Sequence, residues 1–165
     1  MAGKLDAAPP VGSLVARVGD GPSSVMLRIG QQIDQLNVRS VYLPVVRDQL
    51  PDALAAFDFA EPSLVTGQRA TTSVPSQSLY LMNSPFVQEQ AGRAAGALLA
   101  VPELDDAGRV DLAYRLALGR PPSERERQLA LAFVGGAGEA PAQRQVTWGE
   151  LYQALFACID FRYVN

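Results

Sequence analysis

Two apolar stripes at helical spacing in the last third of the chain constrain its fold more than any other feature. Trp148, Leu151, Tyr152, Leu155, Phe156 and Ile159 recur every three or four residues, which places them on one face of an α-helix. Val110, Ala113, Tyr114, Ala117 and Leu118 make a second stripe. Each stripe needs an apolar partner, and the simplest arrangement packs one against the other. Between them, Ser123 and Glu126 have the spacing of a capping box and open a third helix that ends at Gly135-Gly136. Thr147 and Glu150 repeat that spacing and predict the start of the last helix, with Trp148 in its first turn and the indole N–H on a polar partner. Gly119 is placed to end the helix of the second stripe, and Asp111 and Arg115 are spaced to pair on its wet face.

Upstream, Ser84-Pro85 reads as an N-cap followed by proline at the first helical position. Val87, Ala91, Ala94, Ala95 and Leu98 then share a face. The same helix carries Gly92 and Gly96. In a membrane that G-x-x-x-G spacing would mark a dimer face, but Gln88, Glu89, Gln90 and Arg93 surround it, so close helix packing is the expectation. Short helical turns are predicted over 76–82 and 51–57, and a longer helix over 25–36. The run Arg39-Ser-Val-Tyr-Leu-Pro-Val-Val is β-branched and aromatic and predicts a strand over 39–46, paired with a short strand at 13–18. The expected fold is therefore mainly α: a C-terminal helical bundle, with a loop-rich N-terminal part carrying one or two short strands.

Composition limits the function classes. With 48% hydrophobic and 19% charged residues, the 165-residue chain can bury a core of its own. Net charge is −3, and residues 1–84 carry six basic and seven acidic groups, residues 85–165 eight and ten. No half has the basic field that nucleic acid or an anionic membrane requires. Histidine is absent, which removes Ser-His and Cys-His dyads, His-ligated zinc and a C-x-x-C-H haem attachment. Neither a haem nor any other cofactor or metal is expected in this stretch. Cys158 is the single cysteine and is expected to sit inward beside Leu151 and Leu155 as a small hydrophobe. No run of 18 apolar residues exists.

Four segments carry a family resemblance: Arg39-Ser-Val-Tyr-Leu-Pro-Val-Val-Arg47; Phe57-Asp-Phe59 leading into Thr71-Thr-Ser-Val-Pro75; Gln77-Ser-Leu-Tyr-Leu-Met-Asn-Ser-Pro-Phe86; and Ala113-Tyr-Arg-Leu-Ala-Leu-Gly-Arg-Pro-Pro122. With the tail from Trp148 to Tyr163, they make the chain resemble a planctomycete-specific C-terminal domain of unknown function found in large cytochrome-c-associated proteins. The resemblance covers residues 36–165 and leaves 1–35 as a loop-rich leading segment. It implies an exported, multidomain parent, periplasmic or at the cell surface, whose other domains are the partners of this one and whose haem belongs elsewhere. It implies no catalytic residues.

Two polar groupings are candidate ligand sites. Gln68, Arg69, Thr71, Thr72, Ser73, Ser76 and Gln77 combine hydroxyls, amides and a guanidinium fork, which suits a sugar or an anion; capping and loop satisfaction explain the same residues. Arg39, Tyr42, Arg47 and Asp48 could join Arg69 in one pocket, or lock strand to loop as ion pairs. Asp48, Asp52, Asp58 and Glu61 are close in sequence, but glycoside hydrolysis needs two carboxyls at a fixed separation, which proximity does not supply. The expected function is a non-catalytic structural or interaction module; the alternative is a carbohydrate-binding or carbohydrate-hydrolysing part centred on residues 68–77.

Overall fold

A computed structural model describes residues 5–8, 38–42, 50, 52–57, 59, 67, 75–136, 138 and 140–162. Among them the order is a 3-10 turn at Ser40–Tyr42, then α1 (Asp52–Ala56), α2 (Pro75–Asn83), α3 (Pro85–Leu99), α4 (Asp106–Leu118), α5 (Glu124–Gly135), α6 (Pro141–Ala157) and α7 (Ile159–Arg162). The protein is mainly helical, as its periodicity requires. The predicted helix over 25–36 and the strand at 13–18 lie outside the described residues. Contacts divide the chain into two compact units, residues 4–80 and residues 81–165.

In the first unit the start of the predicted strand over 39–46 is corrected, while residues 43–46 lie outside the described residues. Ser40–Tyr42 turns as a 3-10 helix, with the Tyr42 N–H donating to the Arg39 carbonyl at 2.9 Å. The extended contact is one residue earlier, a single parallel bridge between Asp6 and Val38. β-propensity is a preference for a pleated, half-buried surface, and among the described residues the ladder begun at Val38 does not continue into Ser40–Tyr42. Phe57, just beyond α1, meets Tyr80 of α2 edge to face, with ring centroids 5.9 Å apart.

The second unit is a helical bundle. Its core is Leu81, then Val87, Ala91, Ala94, Ala95 and Leu98 of α3, Val110, Ala113 and Tyr114 of α4, Ala130 and Val134 of α5, and Trp148, Leu151, Tyr152, Leu155 and Phe156 of α6. Every expected inward residue of α3 is buried. Pro85 stands at the first helical position as expected. Asp105 caps α4, accepting from the Gly108 N–H at 2.8 Å. The helix ends at Gly119, whose φ of 71° is the left-handed conformation that glycine adopts without a Cβ penalty. The Ser123/Glu126 capping box is formed in both directions.

Helix α6 departs from the expectation in three ways. It begins at Pro141, not at Thr147, and Thr147 sits inside it with its hydroxyl donating to the Gln143 carbonyl at 3.1 Å. Proline at the first helical position set the start, so the Thr147/Glu150 spacing was a coincidence within one face. Trp148 is therefore mid-helix and fully buried, and among the described residues its Nε1 has no acceptor. The apolar stripe stops at Phe156. Ile159 is 57% exposed and opens α7, and Cys158 is an exposed helix-end residue whose thiol donates to the Ala154 carbonyl. Finally, α6 packs most extensively against α3, with α4 and α5 as further neighbours, so α4 is not its principal partner.

Candidate functional site

The structure describes only part of the sequence-derived candidate sites. Arg39 is exposed, Tyr42 is half-buried in the 3-10 turn, and Gln77 is buried within α2. Arg47, Arg69, Thr71 and Thr72, with Asp48, Asp58 and Glu61, lie outside the described residues. Asp52 is the first residue of α1, the position at which a carboxylate complements the helix dipole.

The most developed charged constellation is one that the sequence did not single out. Arg120 leaves the left-handed Gly119 cap of α4 with its guanidinium between two carboxylates. Its Nη1 and Nη2 donate to the two Glu126 oxygens at 2.9 and 2.8 Å, a fork-on-fork pair. Its Nε and Nη2 donate to Asp160 Oδ2 at 3.0 and 2.6 Å, and Nη1 also reaches the Pro121 carbonyl at 3.2 Å. One side chain thus ties the end of α4 to the first turn of α5 and to α7. Glu126 also accepts from the Ser123 N–H at 2.7 Å. The Arg120 bonds lead, with help from the capping serine, in holding the Glu126 carboxyl down at about 2, below the usual carboxylate range. The Arg120 guanidinium is correspondingly pushed up, first by Glu126 and then by Asp160.

Two further ties repeat the pattern. Asp106 Oδ1, at the start of α4, receives Arg144 of α6 at 2.6 Å and Arg109 at 3.3 Å. Asp111 faces Arg127 of α5 with 2.6 Å between Oδ1 and Nη1, and so does not form the expected pair with Arg115. The one-turn neighbour lost to a cation on the facing helix because an inter-helix pair is more shielded than a pair on the wet face. Glu126 was legible through its capping box. Asp160, Arg144 and Arg120 were not, because their partners lie 40, 38 and, for Glu126, 6 residues away and only packing brings them together.

On the outer side of the α3–α6 contact runs a groove of about 530 Å³, lined by Gln88 and Gly92 of α3 and by Ala142, Gln145, Val146, Gly149, Glu150 and Gln153 of α6. Gln153 donates to the Met82 carbonyl. Although Cys158 is exposed as a residue, partial burial of its thiol pushes its pKa up, with Asp160 and Glu126 adding to the shift.

A sequence profile described as PSD1, protein of unknown function (DUF1553), matches residues 7–134. The chain belongs to the PSD1 family. The PSD1 match starts well before residue 36, where the sequence resemblance was expected to begin, and it takes in most of the leading segment. It ends at the buried Val134 near the end of α5. Arg120 and Glu126 are thus inside the matched PSD1 region, whereas Asp160, Arg144 and the whole of α6 follow it. No curated protein and no solved structure matches the chain.

Proposed function

We propose that this PSD1 domain is a non-catalytic structural or interaction module of an exported, multidomain, cytochrome-linked planctomycete protein. The observation that carries the reading is the use made of charge in residues 81–162. Arg120, Glu126, Asp160, Asp106, Arg144, Asp111 and Arg127 are spent on ties between helices, which is what a rigid spacer or docking platform needs. The parent's other domains are its partners, and any haem of the parent resides in one of them. The resemblance of the segments at 39–47, 77–86 and 113–122 supports that setting.

The test has two arms. An antibody to the domain, used on cell fractions of the source organism, is expected to find a chain far larger than 17.6 kDa, exported and staining for haem. A cytoplasmic band of the domain's own size would overturn the setting. Purified protein is expected to show no Soret band and no thermal shift with neutral or sulfated oligosaccharides. A saturable shift with one sugar class would move the function to the carbohydrate reading at residues 68–77.

A further inference from the structure

Helix α7 is attached to the bundle differently from the helices before it. Cys158 breaks the chain between α6 and α7 with an extended backbone, at φ −65° and ψ 151°. Beyond that break α7 turns over four residues and packs on α4 and α6, yet none of its residues is buried. Ile159 is 57% exposed and Phe161 37%. The Phe161 N–H stays within the turn, donating to the Cys158 carbonyl at 3.3 Å. Two side chains reach out of the turn to named partners. Asp160 takes the Arg120 guanidinium, and the Phe161 ring lies on the ring of Phe156, with centroids 4.9 Å apart. Phe156 itself belongs to the core and is 6% exposed.

Arg120 holds its two carboxylates unequally. Glu126 is bound through both oxygens and also accepts from the Ser123 N–H. Asp160 is bound through Oδ2 alone. With the Pro121 carbonyl on Nη1 as well, the guanidinium keeps its place on the α4–α5 side when Asp160 leaves. The Arg120 and Asp160 side chains are 41% and 39% exposed, so water and salt reach the pair. A tie of that kind changes an equilibrium by about two- to fivefold. That is enough to bias a small element with no buried residue and too little to hold a core. Elements with few buried apolar contacts open locally while the rest of a domain stays folded.

We infer that α7 is a releasable strap, with Arg120 as its catch and Cys158 as its hinge. Closed, it lays Phe161 on Phe156 and Asp160 on the Nε edge of the guanidinium. Open, it uncovers the Phe156 ring and frees that edge, while Glu126 retains Arg120 and the Ser123/Glu126 capping box stands. Rotation at the extended Cys158 moves α7 without unwinding α6. Because the catch is a half-exposed ion pair, ionic strength sets the closed fraction. The strap thus makes one end of the bundle, a cation beside an aromatic ring, available in one state and covered in the other. The inference goes beyond the module reading and stands or falls apart from it.

The experiment is amide hydrogen exchange by NMR on the 165-residue protein and on its Asp160→Asn variant. Protection of the Phe161 amide is read against an unstructured tetrapeptide of the same local sequence, and the amides of Ala130 and Leu155 report the bundle. Wild type at low salt is expected to protect Phe161. Asp160→Asn should lower that protection about two- to fivefold, the size of a half-exposed charge contact, and shift the Phe156 ring signals, with Ala130 and Leu155 unchanged. Salt at about 1 M, where the screening length is about 3 Å, should do the same to wild type and add nothing in the variant. An unprotected Phe161 in wild type, equal protection in the two proteins, or no response of wild type to salt would each overturn the inference. So would a loss of protection shared by Ala130 and Leu155, or an unfolded variant, since either would make α7 part of the cooperative core.

Discussion

Gly92 of α3 and Gly149 of α6 face each other across the helix crossing, so that a methyl group added to Gly149 would sit 3.5 Å from the Gly92 α-carbon. The two positions are not equivalent, because the Cβ direction of Gly92 is open while Gly149 is buried. Gly92→Ala should therefore raise stability by about 0.5–1 kcal/mol through helix propensity alone. Gly149→Leu should lower it by about 1–3 kcal/mol, because the added branches must displace α3. Urea unfolding of both variants checks this; the same sign for both would mean that the crossing is not where the structure places it.

The core face of α6 makes a second prediction. Leu155 is 3% exposed, and Leu155→Ala should cost about 2–5 kcal/mol from lost transfer energy and the cavity left behind. Gln143→Ala, at an exposed position of the same helix, should stay within about 0.5 kcal/mol of wild type. Trp148 is the only tryptophan and is fully buried, so its emission should be blue-shifted, resist acrylamide and report this transition directly. A quencher-accessible tryptophan in the native protein would contradict the packing.

The Arg120 tie predicts a particular pH dependence. The folded Glu126 carboxyl is lowered from 4.5 to about 2, so the folded state binds the proton less readily than the unfolded chain. The stabilisation is fully present above the unfolded value and is lost as pH falls toward about 2. Glu126→Gln keeps a residue that can complete the capping box but removes the charge. Wild type should melt above this variant by a constant margin at neutral pH, and the margin should close between about pH 4.5 and pH 2. A margin independent of pH in calorimetry would show that the guanidinium contributes no charge-dependent stability.

The end of the PSD1 match makes the fourth prediction. A chain ending at residue 134 keeps the whole matched region but loses α6, and with it Trp148, Leu151, Tyr152, Leu155 and Phe156 from the core. Losing a helix that supplies five core side chains exceeds the about 5–15 kcal/mol that holds a domain together. The truncated chain should therefore show no cooperative thermal transition by circular dichroism, whereas residues 1–162 should retain one. Cooperative melting of the shorter chain would place the core elsewhere.

What the sequence determined by itself was the set of features closed within one or two turns. The inward stripe of α3, proline at its first position, the Gly119 stop and the Ser123/Glu126 capping box all depend on residues within a few positions of each other, and each is present. The same local logic failed where a distant neighbour competes. Ser40–Tyr42 has strand-forming side chains, but it turns as a 3-10 helix directly after the single bridge at Val38. Thr147 and Glu150 have cap spacing but lie inside a helix already begun at Pro141. Asp111 has Arg115 one turn away but takes Arg127 from the next helix. Of the candidate site residues, Gln77 could be read as polar but not as buried. Arg120, Asp160 and the Gly92–Gly149 crossing became visible only with the bundle, because pairing across 40 or more residues is decided by how helices pack and not by any spacing along the chain.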